Sequence, residues 1–174
     1  TRLGSTRLPS KPLLEINGIP LIIHTYKRAM LSKKFDDIII CCDDKKILDV
    51  AKKFKAKCVL TSKHHNNGTE RITEVLLKQK NSYDLIVDIQ GDEPLLDPKH
   101  IDKVIEWHAR NPNFDIVVPS LKSKNIDTPH IVKIVKSRKK VLYFSRSLVP
   151  YPFKKRQNFY LKHLSVISFK LNSL

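Results

Sequence analysis

Long hydrophobic runs are missing from this chain, and so is any basic, apolar, small-residue leader after Thr1. The expectation is no membrane span and no export signal, with the cytoplasm as the default location. Cysteine is scarce, and Cys41, Cys42 and Cys58 are odd in number and lack metal-ligand spacing. That argues against a zinc site or a disulfide framework and for small buried hydrophobes in a reducing compartment. Internal repeats and low-complexity linkers are also absent, which leaves a single domain across residues 1–174. Acidic residues are few, 17 against 33 Lys and Arg, for a formal charge of +16. Clustered cations of that excess would bind a phosphate backbone. Here they fall in scattered pairs, Lys33-Lys34, Lys45-Lys46, Lys52-Lys53, Lys139-Lys140 and Lys154-Lys155, with no interleaved aromatics on which bases could stack. Solvated faces and no nucleic-acid partner are expected, a basic nucleic-acid-binding module being the non-enzyme alternative.

What is present is an alternation of short, branched apolar runs with segments of helical period, the pattern of an α/β fold with a mostly parallel sheet. Asn17-Gly18 marks a turn, and Pro20 suits the first turn of a helix whose Ile22, Tyr26, Ala29 and Met30 share a face. Asp37 to Cys42 reads as a buried strand. Asp44 caps a helix with Ile47, Val50, Ala51 and Phe54 inward, and Cys58 to Thr61 is a short strand. Gly68 and Thr69 open a helix bearing Ile72, Val75 and Leu76. Tyr83 to Ile89 is a hydrophobic strand, and Asp97-Pro98 starts a helix with Ile101, Val104 and Ile105 inward. After a strand at Asp115 to Pro119 the style changes. His130 to Lys136 and Val141 to Phe144 flank Ser137-Arg138 like a hairpin, and Tyr160 to Phe169 is again strand-like, so a small antiparallel flap is expected.

Three segments can carry chemistry. In Thr1-Arg2-Leu3-Gly4-Ser5-Thr6-Arg7-Leu8-Pro9-Ser10-Lys11, three cations and several hydroxyls gather around one glycine. Arg2 and Arg7 can fork onto phosphate oxygens, Ser5 and Thr6 can donate, and Lys11 supplies a point charge, so the loop can hold a triphosphate. A basic surface loop is the plain alternative. Gln90-Gly91-Asp92-Glu93-Pro94 emerges directly from a hydrophobic strand, where open α/β sheets place ligands. Asp92 is the natural Mg2+ ligand there, since magnesium takes one or two carboxylates together with phosphate oxygens and water. An acidic turn is the alternative. His65 to Arg71 precedes a helix, whose N-terminus favours anions while Gly68, Thr69 and their neighbours read a base edge, or else merely cap it.

Taken together, Ser5-Thr-Arg-Leu-Pro-Ser-Lys-Pro-Leu13, Gly68-Thr-Glu-Arg71 and Gln90-Gly-Asp-Glu-Pro94 resemble the 3-deoxy-manno-octulosonate (Kdo) cytidylyltransferases of lipopolysaccharide synthesis. Val132-Lys-Ile-Val135, Tyr143-Phe-Ser-Arg146 and Lys162-His-Leu164 extend the resemblance to about Phe169. It implies a Rossmann-like nucleotidyltransferase fold in which the anomeric hydroxyl of Kdo attacks the α-phosphorus of CTP and pyrophosphate leaves. By that resemblance Arg2, Ser5, Arg7 and Lys11 hold the triphosphate, with Arg7 and Lys11 catalytic, and Gly68, Thr69 and Arg71 seat the cytidine. Gln90, Arg146 and His163 face the sugar acid, and Asp92 binds Mg2+. Taken without the resemblance, His163 also fits a hydrogen-bonded core residue, and Arg146 a structural ion pair. Val132 to Phe144 resembles the part that makes homodimers.

The chain departs from the family at Ser10, where glycine is common, at Asn67, where serine is usual, and at Ile167, where a tyrosine tends to lie near the sugar. The family also places an Ile-Ile-Ile-Pro strand ahead of the loop, and an Asp-x-Pro-Glu-Asp-Leu segment carrying a second magnesium carboxylate after the region matched here. The sequence is therefore expected to be a fragment, incomplete at both ends, poorly folded and inactive by itself. A cytidylyltransferase for a sialic or legionaminic type of sugar is the enzyme alternative.

Overall fold

The computed structural model describes residues 1–4, 8–79, 82–124, 126–154 and 157–174. Their contacts fall into two compact units, one of residues 1–117 and 165–174 and the other of residues 118–164.

In the first unit Asn17 and Gly18 both take positive φ, 50° and 74°, and turn a hairpin of β1 (Glu15–Ile16) and β2 (Ile19–Pro20). A primed turn of this kind needs left-handed residues at both central positions, which Asn-Gly tolerates. Helix α1 (Leu21–Ala29) follows, with Pro20 as its N-cap rather than within its first turn. Then come β3 (Ile40–Cys42), α2 (Lys45–Lys53) and β4 (Cys58–Leu60). After them lie α3 (Gly68–Lys78), β5 (Leu85–Ile89), α4 (Pro98–Arg110) and β6 (Ile116–Val117). Helix starts follow the expected chemistry: the Asp44, Asn67 and Asp97 side chains accept from Lys46 N, Glu70 N and Lys99 N. Each satisfies an N–H that the helix leaves without a partner.

The second unit is an antiparallel sheet of β7 (Ser120–Ser123), β8 (Lys133–Ser137), β9 (Lys140–Ser145) and β10 (Tyr160–His163), in the order β7-β10-β8-β9. Arg138, at φ 52°, makes the β8–β9 turn where a hairpin was expected. The run from Tyr160 to Phe169 is two strands, not one. It breaks at Leu164-Ser165, and β11 (Val166–Lys170) belongs to the first unit.

The class is α/β, but the hydrogen-bonded ladders are not the mostly parallel sheet expected. β3 and β4 form the parallel ladder, Ile40 opposite Cys58, while β11 runs antiparallel to both β5 and β6 and lies between them. The chain returns from the second unit in the reverse direction, and β11 separates β5 from β6, which share one direction.

Apolar burial collects in two clusters of the first unit. Ile22, Ile23, Ile40, Cys42, Ile47 and Ala51 make one, and Ala29, Leu96, Ile101, Val104 and Val166 the other. Met30, expected inward, lies just past the end of α1 and is 52% exposed. His108 is buried between the Ser168 hydroxyl at 2.8 Å and the Phe114 carbonyl at 2.9 Å, so both ring nitrogens have partners. The described lysines of the scattered pairs are exposed, as solvated faces should be, and Lys155 lies outside the described residues. Lys133 is the exception among lysines, 2% exposed, with its ammonium donating to the carbonyls of Thr128 and Arg146 at 2.7 and 2.6 Å. Ile47 is fully buried, and Ile47→Ala is expected to cost about 2–4 kcal/mol through lost transfer and cavity terms. Urea unfolding with an unchanged m-value checks this.

Candidate active site

The basic loop is anchored from both sides of its glycine. The Thr1 ammonium donates to the Cys41 carbonyl at 2.5 Å, and Leu3 N donates to Asp43 Oδ1 at 2.9 Å, so the loop starts against the C-terminal end of β3. Arg2 is exposed and available to a ligand. Ser5 and Arg7 lie outside the described residues, as does Thr6. Ser10 then takes φ 54° and ψ 24°, a left-handed conformation that accounts for the preference for glycine there. It delivers the chain into a single 3-10 turn, Lys11–Leu13, with Pro12 buried.

From that turn Lys11 reaches Asp92, Nζ to Oδ2 2.5 Å, across 81 residues of sequence. Two of the three segments read as chemical from the sequence thus meet. Both side chains keep more than a third of their surface exposed, 37% and 40%, so the pair opens to solvent and to ligands.

Asp92 owes its position to Gly91 and Ser165. A Cβ on Gly91 would lie 2.7 Å from Ile22 Cδ1 and 3.2 Å from Thr1 Cβ, so a side chain there would have to displace the end of Ile22, and the glycine serves close approach rather than an unusual φ. The Thr25 hydroxyl of α1 donates to the Gly91 carbonyl at 3.2 Å. On either side, Gln90 N donates to the Ser165 carbonyl and the Ser165 hydroxyl donates to Glu93, at 3.2 and 2.6 Å. Glu93 is therefore occupied structurally, while the Gln90 side chain is exposed beside Asp92.

The third segment is built around a reciprocal cap. Asn67 accepts from Glu70 N at 2.9 Å and its side-chain amide donates to Glu70 Oε1 at 2.8 Å, a variant of the capping box in which Glu70 reaches back to the Asn67 side chain and to Asn66 N instead of to the N-cap amide. The amide of Asn66 holds the Glu70 carboxyl below its usual range. Gly68 is exposed, and a Cβ there would stand 3.9 Å from Asp88 Oδ2. Thr69 is half-buried, and its carbonyl accepts from Thr73. Arg71 is 4% exposed: Nη1 donates to the Thr61 hydroxyl at 2.5 Å and the Ser62 carbonyl at 3.0 Å, and Nη2 lies 3.8 Å from Asp43. Glu74 takes the Ser62 amide and His65 and pairs with Lys78. These three donors, Lys78 first, bring its carboxyl down to about 2.

Sequence reasoning passed over Asp43, which ties the loop at Leu3 to the Arg71 guanidinium. It also passed over Asp88 of β5, whose Oδ2 would stand 3.9 Å from a Cβ on Gly68. Both stand at or near the C-terminal end of a strand, the same signal that picked out Asp92. Burial pushes the Asp88 carboxyl up, partly offset by the Thr1 ammonium, whose own value burial lowers.

Arg146 and His163 belong to the second unit. Arg146 is exposed and donates to the Pro129 carbonyl at 2.6 Å. His163 meets the Phe144 ring edge-on with centroids 5.2 Å apart, its amide donates to the Val132 carbonyl, and its Nε2 is buried without a partner among the described residues. Burial lowers its affinity for a proton and favours the neutral ring. A buried nitrogen left open in this way is suited to a ligand hydroxyl or carboxylate.

The chain is similar to known proteins over nearly its whole length. A family described as Cytidylyltransferase matches residues 1–173. The chain is 39% identical over 174 residues to a 3-deoxy-manno-octulosonate cytidylyltransferase of Chlamydia trachomatis serovar L2, covering 98% of this chain and 68% of that protein. It is 37% identical to an 8-amino-3,8-dideoxy-manno-octulosonate cytidylyltransferase of Shewanella frigidimarina, over 97% of this chain and 71% of the relative. Among solved structures, a CMP:2-keto-3-deoxy-manno-octonic acid synthetase complexed with CTP superposes with a TM-score of 0.88 at 32% identity, over 98% of this chain and 71% of the other.

Two measurements test the geometry. Ser10→Gly removes a left-handed serine and is expected to stabilise the fold by about 0.5–1 kcal/mol in urea unfolding. Asp88 holds its proton more tightly folded than unfolded, so its contribution to stability is largest at low pH. That contribution is lost as pH rises from the ordinary carboxylate value through the raised one. The Tm of Asp88→Asn should therefore pull above that of the unsubstituted chain as pH rises from about 4 to 7.

Proposed function

The chain belongs to the cytidylyltransferase family, and on that premise we propose that it transfers CMP from CTP to the anomeric hydroxyl of 3-deoxy-manno-octulosonate, releasing pyrophosphate. The observation that carries the reading is the contact of Lys11 with Asp92, which joins a phosphate-binding loop to a carboxylate at the edge of a strand.

The chemistry is in-line displacement at phosphorus, and the protein's part is positioning and charge. Lys11 balances charge that builds on the pyrophosphate side, with Arg2, and with Ser5 and Arg7 by sequence alone, gripping the remaining phosphates. Gly68 and Thr69 present backbone and hydroxyl groups to the cytidine. Arg71 acts at one remove, because its guanidinium fastens Thr61 and Ser62 beneath that segment. The resemblance alone assigns the sugar acid to Gln90 in the first unit and to Arg146 and His163 in the second, as an amide, a cation for a carboxylate and a neutral ring nitrogen for a hydroxyl.

Magnesium suits Asp92 because its carboxylate is solvent-exposed at the turn after β5, and the metal would take the place of the Lys11 ammonium on it. Asp92 would hold Mg2+ together with triphosphate oxygens and water, and the metal would neutralise developing negative charge. Homodimer formation through β9 is part of the proposal, since Val141, Leu142, Tyr143 and Phe144 are 39–60% exposed on that strand. No helix among the described residues is long and apolar enough to cross a membrane. We assign the reaction to the cytoplasm, where CTP is available.

The assay is pyrophosphate release, with CTP and Mg2+, by a full-length protein that carries these 174 residues. Release that depends on Kdo is expected, and equal or faster turnover with a sialic or legionaminic acid would overturn the sugar assignment. Lys11→Ala is expected to lower kcat/KM by about 10²–10³-fold. Its stability should change by less than about 1 kcal/mol, because the pair is solvent-exposed.

A further inference from the structure

Strand order in the second unit sets one lysine between Arg146 and His163. In the order β7-β10-β8-β9, strand β8 lies between β10, which ends on His163, and β9, which leads into Arg146. Lys133 stands in register with Ser145 on one side and with Lys162 on the other, the immediate neighbours of Arg146 and His163. One residue earlier on the chain, the Val132 carbonyl accepts from His163 N at 2.9 Å. The centre of this sheet therefore carries both groups.

The Lys133 side chain is 2% exposed, and its ammonium donates to Thr128 O at 2.7 Å and to Arg146 O at 2.6 Å. Both acceptors are neutral carbonyls. Burying an ammonium is costly unless charge-assisted hydrogen bonds offset it, so these bonds resist breaking and fix the two segments they join. Arg146 closes the same link from its other end, where Nη1 donates to Pro129 O at 2.6 Å. Its main chain and its guanidinium are thus both tied to residues 128–129, and the bond from Lys133 sets where the side chain starts. Arg146 is exposed, which leaves the rest of its planar fork to meet a carboxylate.

We propose that Lys133 is a positioning residue for the sugar acid, whose buried ammonium fixes the backbone of Arg146 so that the guanidinium takes the substrate carboxylate through two parallel bonds. The proposal rests on the cytidylyl-transfer reading, in which Arg146 serves the sugar acid. Lys133 itself does not touch substrate. A two-bond fork tolerates little misplacement, because both bonds must form together. Arg2, Lys11, Gly68 and Thr69, assigned to the triphosphate and the cytidine, belong to the first unit. Loosening Lys133 therefore weakens use of the sugar acid and spares CTP.

The test measures kcat/KM for Kdo at saturating CTP, and KM for CTP at saturating Kdo, in a full-length protein that carries these 174 residues. The unsubstituted protein comes first: absence of turnover there overturns the function, and the proposal with it. Should another sugar acid be turned over in place of Kdo, the sugar assignment falls and the same comparison is made with that acid. Lys133→Met fills similar space without donors, and is expected to lower kcat/KM for Kdo by about 10–100-fold while KM for CTP changes less than about twofold. In an Arg146→Ala background the same substitution should change kcat/KM by less than about twofold, because Lys133 acts through Arg146. Lys133→Gln keeps a neutral donor, covers the case in which Lys133→Met does not fold, and should fall between the two. Loss of folding in both variants, an equal loss toward CTP, no loss toward Kdo, or an undiminished effect without Arg146 would each overturn the role of Lys133 and leave the function standing.

Discussion

Three stretches of chain meet where Gly91 has no side chain. Thr1 at the head of the basic loop, Ile22 of α1 and the turn after β5 come within van der Waals distance there, and an added methyl would collide with Ile22 at 2.7 Å. Helix α1 reinforces the approach through Thr25, whose hydroxyl bonds the Gly91 carbonyl. The basic loop that carries Lys11 and the turn that carries Asp92 both pass this point.

Charge in the first unit is arranged by strand ends. Asp43, Asp88 and Asp92 lie at or near the C-terminal ends of β3 and β5. Asp43 lies by Arg71 and Asp92 is paired with Lys11, while burial pushes the Asp88 carboxyl up. The local balance at this edge differs from that of the chain as a whole, whose excess of lysine is spread over exposed helix and hairpin faces. A family that handles a triphosphate and a sugar acid needs cations that are placed, as Lys11 is placed on Asp92.

Much of the local structure was legible because its causes are local. Asp44, Asn67 and Asp97 cap helices through their own side chains, Asn17-Gly18 and Arg138 turn hairpins, and the helical faces led by Ile22, Ile47, Val75 and Ile101 are buried. The misreadings came where partners are distant. Tyr160 to Phe169 looked like one strand because apolar character continues through it, yet β10 and β11 pair with different partners in different units. Arg71 looked ready for a ligand because it closes a motif, but its guanidinium is buried on Thr61 and Ser62.

The sequence by itself determined the α/β class, the helix starts, the turns and the loop and acidic segments that carry the chemistry, since each depends on residues a few positions apart. Tertiary structure decided which of those groups meet. It brought Lys11 to Asp92, committed Arg71 to the fold and left His163 Nε2 buried without a partner among the described residues. Those outcomes turn on strand pairing and close packing between segments tens of residues apart, for which no local pattern carries a signal.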